Sequence, residues 1–420
     1  MLVIINSAIW ALVTILIMVF GVYFSKKLSF PQFKIFKIFK SLSGNEKISP
    51  LKTLFLTLGG RIGVGSIAGV AFAIYIGGAG TVFWMWVMAI FSSSLAYCET
   101  LLGIKYKVSS FSENFGGPSY YIRDGLNKKK IAFLYSFIVI IAYIIGFIPI
   151  QANTIVKVNI FFNKYIIGFI LFFIVFFIIK KGISRIITVT NILVPFMTFI
   201  YIFLSLVVIF NNIDKVVDVF LLIIKGAFNF KSFFGGFIAT MLIGIQRGIF
   251  SNEAGIGLGA IAASYSDSTD GCKCGYIQIL GVYITTMLIC TSTAFMILLF
   301  DYQSIYLNNL NGIELTALAF NYHFGFLGFA LLFIFILLFS LTTILTGYYY
   351  CESSFRFLRY KSNIFKVIVP ISVFFGCIVS SALVWLMIDL LVGILSIINI
   401  YSIYKLKDEA FEYHQKCDRI

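Results

Sequence analysis

Two strings in this 420-residue chain set glycine, charge and hydroxyl side by side within apolar sequence: GGRIGVGSIAG at 59–69 and GIQRGIFSNEAG at 244–255. Neither reads as one unbroken apolar helix. A backbone N–H or C=O left unpaired in lipid costs several kcal/mol, so an unwound stretch survives only where protein, ligand or ion satisfies it. Gly63 and Gly65 let the chain bend and let a ligand approach the backbone closely. The half-helix expected to start near Ser66 presents the positive end of its dipole, which suits a carboxylate. Freed carbonyls from Gly59 to Ile62 suit a small cation. Together these describe an amino acid and an accompanying ion. The bland reading of such glycines is close helix packing, and it is the one we take for Gly69, Gly77 and Gly78.

The elements that position these strings are membrane helices. The chain is 60% hydrophobic, 18% aromatic and 12% charged, whereas soluble domains are about 45–50% apolar. Apolar runs of about 20 residues, each able to cross about 30 Å of hydrocarbon, recur along it. We place spans at 2–24, 51–76, 81–104, 131–156, 161–179, 186–210, 232–255, 276–300, 324–350, 364–382 and 385–404. The expected fold is an all-α polytopic membrane protein of about 11 transmembrane helices. The run at 2–24 has neither the basic start nor the small-residue cleavage site of a signal peptide, so it is read as a retained span.

Loop charge orients the spans. With the N-terminus outside and the C-terminus cytoplasmic, 25 of the 32 Lys and Arg fall in inside loops or the tail, among them Lys105, Lys107, Arg123, Lys273, Arg356, Arg359, Lys361, Lys405 and Arg419. Five, including Lys157, Lys215 and Lys231, fall outside, and Arg61 and Arg247 sit at the two breaks. Positive-inside bias therefore selects the alternating count and a cell-membrane location. The first span and a basic amphipathic linker on the inner leaflet occupy 1–50. Two halves of opposite topology follow, at 51–210 and 232–404, joined by an external linker at 211–231 and ending in a tail at 405–420. Each half opens with its broken helix, the layout of a 5+5 inverted repeat.

Other chemistry is thin. Seven cysteines, mostly within apolar runs, set no disulfide framework. Cys272 and Cys274 flank Lys273, but a chain with two histidines makes a poor zinc site there, so no cofactor is expected. His323 is read in a loop and His414 in the tail, which disfavours a histidine relay. No GxxxxGK[ST] string is present, so ATP is not an expected partner, and the +15 net charge is carried by membrane-flanking loops, so nucleic acid is not one either. Glu99 and Glu352 lie near span ends and read as solvated interfacial carboxylates. Asp389 lies deeper and is a candidate for an ion-linked role.

At this point the residues resemble a family, the alanine or glycine:cation symporters of the leucine-transporter-type fold. The resemblance covers most of the chain. It rests on RIGVGSIAGVA (61–71), FWMW (83–86), Glu99 followed by KYK (105–107), GGPSYYI (116–122), QANT (151–154), YYCE (349–352) and, most specific, RGIFSNEAG (247–255). It implies sodium-coupled uptake of a small neutral amino acid held between the two broken helices, with no covalent chemistry. On that basis the amides of Gly63, Val64 and Gly65 would bind the substrate carboxylate. Ser66, Gln151, Ile245, Gln246 and Gly347 would line the pocket. The carbonyls of Gly59 and Ile62 with the hydroxyls of Thr342 and Thr343 would ligate sodium, a hard cation that prefers oxygen. Arg247 and Glu253 would form a gate or a structural charge pair. Asn252 and Ser251 would cap freed backbone.

Three departures from the family pattern stand out. Ser66 replaces an asparagine and Thr285 an aspartate. Thr346, Gly347 and Tyr348 replace Gly-Trp-Ser, so a pocket tryptophan becomes glycine; a larger pocket is expected unless Tyr348 refills the space. The alternatives to a sodium symporter are a proton-coupled porter using Asp389, Glu253 or Glu99, and a non-transporting amino-acid sensor. A channel would need a continuous pore lined by carbonyls or charge.

Overall fold

Lipid offers no hydrogen-bond partner, so a chain within it pairs its own backbone, and this one does so with helices. The computed structural model describes residues 2–43, 46–110, 113–159, 162–228, 236–300, 312–358 and 363–418. Lys231, Arg359, Lys361 and Arg419 lie outside them. In chain order the helices are α1 (Leu2–Lys27), α2 (Ile35–Lys40), α3 (Pro50–Arg61), α4 (Val64–Gly77), α5 (Gly80–Lys105), α6 (Pro118–Asp124), α7 (Lys129–Ala142), α8 (Ile148–Val158), α9 (Lys164–Lys180) and α10 (Ile183–Asn211). There follow α11 (Ile213–Ala227), α12 (Ile238–Asn252), α13 (Leu258–Ser264), α14 (Gly271–Val282), α15 (Thr291–Leu298), α16 (Ile313–Phe324), α17 (Leu327–Phe357), α18 (Phe365–Gly376), α19 (Ser381–Lys405) and α20 (Lys407–Asp418).

Helices run through the described part of each predicted span, with residues 161 and 232–235 lying outside the described residues. Among the described residues seven helices are long and apolar enough to cross a membrane, counting α7–α8 and α14–α15 as one each through their π segments, or eight if the bent pair α3–α4 is one span. The helices α9, α12 and α18 are shorter, at 17, 15 and 12 residues. One cause is visible in α12, which stops at the second break.

Proline shapes the site's surroundings. Pro149 has no N–H to give the preceding turn, and Tyr143–Phe147, between α7 and α8, widens into a π turn before it. A second π segment, Tyr283–Cys290, joins α14 to α15. Both face the broken helices.

The basic end is more structured than plain loops. A hairpin pairs β1 (Val108–Ser110) with β2 (Glu113–Phe115). The tail helix α20 docks on α5 through Lys105 and Glu409, 2.6 Å apart, and through Tyr97 Oη and His414 Nδ1 at 2.8 Å. His323 lies in α16 rather than a loop, its Nε2 2.9 Å from the Met296 carbonyl. At the outer layer α1 packs on α5 and α19, and Trp10 Nε1 donates to the Asp389 carbonyl at 3.1 Å.

Candidate functional site

The first break falls at Ile62–Gly63, where α3 and α4 meet at a bend of 43°. Gly63 is needed there for space: a Cβ on it would lie 2.5 Å from Thr343 Oγ1 and 3.0 Å from Gln151 Oε1. Thr343 donates to the Gly59 carbonyl at 2.9 Å and shares the Phe339 carbonyl at 3.0 Å. Gln151 Oε1 accepts from the Val64 amide at 3.0 Å. So five expected residues, Gly59 of α3, Gly63 at the break, Val64 of α4, Gln151 of α8 and Thr343 of α17, converge on one point.

The other freed groups are partly spoken for. The Arg61 carbonyl takes the Gly63 amide at 3.1 Å and the Ser66 hydroxyl at 3.3 Å. Thr342 turns its hydroxyl back to Phe339 at 2.9 Å and does not reach the break. Thr285 likewise bonds back to the Gly281 carbonyl at 2.8 Å. Hydroxyls in a helix readily satisfy themselves this way when no cross-helix acceptor is near.

The second break lies further along than its glycines suggest. Residues 244–252 stay helical, so Ile245 and Gln246 sit on unbroken α12 rather than in an unwound stretch. The chain leaves the helix at Glu253, and left-handed backbone at Glu253, Gly255 and Gly257 (φ 54°, 84° and 100°) carries it to α13. Glycine suits two of these three positions because a Cβ penalises that region. Asn252 Oδ1 caps the Ala254 amide at 3.0 Å, whereas Ser251 bonds back to Gly248 at 2.8 Å. Gly65 ties the two broken helices together, since a Cβ there would lie 2.7 Å from the Phe250 ring.

The buried charges pair differently from the expectation. Arg247 meets Asp389 rather than Glu253, in a two-pronged bridge with Nη1–Oδ1 3.2 Å and Nη2–Oδ2 2.7 Å. Its guanidinium carbon lies 4.8 Å from the Trp385 ring centre and 5.0 Å from that of Phe72. Glu253 instead accepts from the Tyr143 hydroxyl at 3.0 Å. Glu99 is not interfacial: it is fully buried and accepts from Asn399 Nδ2, on α19, at 2.9 Å. Glu352, in the last turns of α17, is not fully solvated either: its side chain is 14% exposed and lies 2.6 Å from Arg356.

Gly347 opens no larger pocket, and Tyr348 is not what fills the space. A Cβ on Gly347 would lie 2.7 Å from Tyr143 Cδ1 and 3.4 Å from Ile148 Cγ1, so Tyr143 takes the room. Tyr143, Asn399 and Gln278 carry no motif and escape a reading by spacing. Cys272 gathers with Asp270 and Cys417, and not with Cys274.

Helices broken around freed backbone groups in a polytopic bundle define the class of secondary transporters. The model of the sodium:alanine symporter family matches residues 1–419, and the chain belongs to that family. Its relatives include the "Probable sodium/glutamine symporter GlnT" of Bacillus subtilis, 35% identical over 97% of this chain and 88% of the relative. The "Amino-acid carrier protein AlsT" of the same organism is 33% identical, covering 98% and 90%. The "Sodium/alanine symporter AgcS" of Methanococcus maripaludis is 31% identical, covering 95% and 92%. The family is one of transporters.

Proposed function

We propose that this chain imports a small neutral amino acid of the alanine/glycine class together with sodium. Alternating access moves both across the cell membrane. The observation that carries the reading is the convergence of Gly59, Gly63, Val64, Gln151 and Thr343 at the first break. There the Gly59 carbonyl and the Thr343 hydroxyl are oxygens suited to sodium. The Gln151 carboxamide oxygen sits on the Val64 amide, the place a substrate carboxylate oxygen would take.

In this reading Gln151 swings aside or turns its amide toward the ligand when substrate binds. Gly63, Val64, Gly65 and Ser66 supply the α4 end of the pocket, and Ile245 and Gln246 approach it as helical side chains from α12. The Arg247–Asp389 bridge, roofed by Phe72, Phe250 and Trp385, closes one entrance. The eleven-span layout, with two five-span halves at 51–210 and 232–404 and the N-terminus outside, accounts for the loop charges and for one broken helix opening each half.

The test is uptake of radiolabelled alanine into proteoliposomes under an imposed sodium or proton gradient, with a panel of neutral amino acids as competitors. Sodium-gradient-dependent uptake is expected. Uptake driven by a proton gradient alone would favour the porter, and binding without uptake would favour a sensor.

A further inference from the structure

The second break is pinned by side chains on either side of it. Asn399 Nδ2 donates to the Gly255 carbonyl and to Glu99 Oε2, each at 2.9 Å, and the Tyr135 hydroxyl donates to the Ile256 carbonyl at 2.6 Å. Around these bonds lie three charged side chains, Arg61, Glu99 and Glu253, each no more than 2% exposed. The Arg61 side chain makes one bond, from Nη1 to the Gln278 carbonyl at 3.4 Å. Its Nε and Nη2, Glu99 Oε1, Glu253 Oε2, Gln278 Oε1 and the Tyr350 hydroxyl find no partner among the described residues.

These groups form one electrostatic unit. Arg61 faces both carboxylates and the Tyr143 and Tyr350 hydroxyls. Glu99 is also faced by Tyr121, Tyr135 and the Cys98 thiol, and Glu253 by Tyr135, Tyr143 and Tyr350. The remaining buried ion pair, Arg247–Asp389, is balanced within itself. In the cluster, one guanidinium stands against two carboxylates. With both ionised, it would hold a net negative charge out of water, which is strongly unfavourable.

We infer that Glu99 and Glu253 together hold one proton around Arg61, so that the cluster is neutral at physiological pH. A carboxylate takes the proton from solvent and becomes a carboxylic acid. The new O–H is a donor in a cluster whose orphan atoms include three acceptor oxygens, Glu99 Oε1, Glu253 Oε2 and Gln278 Oε1. A metal cation fits less well, because it needs several oxygens around it and would stand beside the Arg61 guanidinium. The consequence for transport rests on the alternating-access reading: losing the proton charges the cluster, draws water to the second break and makes its movement depend on pH.

Infrared difference spectroscopy of the full-length protein in lipid nanodiscs tests this without requiring transport. A protonated-carboxyl C=O band is expected at neutral pH and should vanish on alkalinisation. It should be absent from both Glu99→Gln and Glu253→Gln, since either change leaves one carboxylate balanced by Arg61. No such band in the unsubstituted protein overturns the inference, which keeps it testable if a variant fails to fold. Survival of the band in either variant, or its appearance only when sodium is replaced by choline, also overturns it. An intact band with no uptake at any pH would sink the transport reading alone; uptake without the band would sink this one alone.

Discussion

Thr343 donates its hydroxyl to the Gly59 carbonyl at 2.9 Å, which fastens the middle of α17 to α3 one turn ahead of the first break. Thr342, its neighbour, bonds only within its own helix. Thr343→Val should therefore raise the sodium concentration for half-maximal uptake about tenfold, equivalent to about 1.4 kcal/mol. Thr342→Val should change it less than about twofold, since a self-satisfied hydroxyl loses little. Sodium titration of uptake checks both, and equal effects would mean that the two hydroxyls act together.

Tyr143 occupies the space beside Gly347. A tryptophan at 347 therefore has no vacancy to fill, and Gly347→Trp should destabilise the protein by about 1–3 kcal/mol as overpacking does. A thermal melt reads this as a lowered midpoint. Tyr143→Phe keeps the packing but removes the 3.0 Å bond to Glu253, and should cost about 1–3 kcal/mol for a buried acceptor left without its donor. If Gly347→Trp melts as the unsubstituted protein does, Tyr143 does not fill that space.

The Arg247–Asp389 bridge is buried, so losing one partner strands the other. Arg247→Met or Asp389→Asn alone should cost about 3–5 kcal/mol, while Arg247→Met with Asp389→Leu should recover most of that loss. If the bridge is a gate, the double variant should still fold yet show faster substrate release. Dissociation of labelled alanine after dilution measures it, and an unchanged rate would leave the bridge a structural pair.

How much of this was legible in the sequence depends on the distance between partners. The first break is readable because Gly63 and Gly65 flank a valine right after an in-membrane arginine, and the bend falls at Gly63. The second is misplaced because Gly244 and Gly248 look like the same signal. They serve close packing instead: Cβ atoms there would lie 2.5 Å from the Thr81 carbonyl and 2.7 Å from Met88 Cε. The turn comes at Glu253, Gly255 and Gly257, where the backbone is left-handed. Asp389 lies 142 residues beyond Arg247, and Gln151 lies 87 beyond Val64. Such pairings come from how helices stack and leave no local periodicity. Glu99 reads as interfacial because it is near the end of an apolar run, and its burial shows only through partners such as Asn399, 300 residues further on.

Docking of the tail helix should depend on pH. Partial burial raises the Glu409 carboxyl, but bonds from Lys105 and Tyr106 together outweigh it and hold the group below the ordinary carboxylate range. A depressed value stabilises docking fully above the ordinary glutamate value of about 4.3, and the contribution is lost as pH falls through the folded value. At this exposure it amounts to about 1 kcal/mol or less. Limited proteolysis of the tail should rise on acidification and lose that dependence in Glu409→Gln. Tail cleavage independent of pH in the unsubstituted protein would count against the ion pair as an anchor.

Binding of an amino acid and sodium together at the first break is the step on which the proposed function turns. Equilibrium binding of labelled alanine to the purified full-length protein, measured across sodium concentrations with choline as replacement, tests it most directly. Affinity should rise with sodium, and Thr343→Val should shift that dependence about tenfold. Gln151→Ala should alter alanine affinity and leave the sodium dependence in place. Alanine binding that is equally tight without sodium, or unchanged by Thr343→Val, would contradict the account.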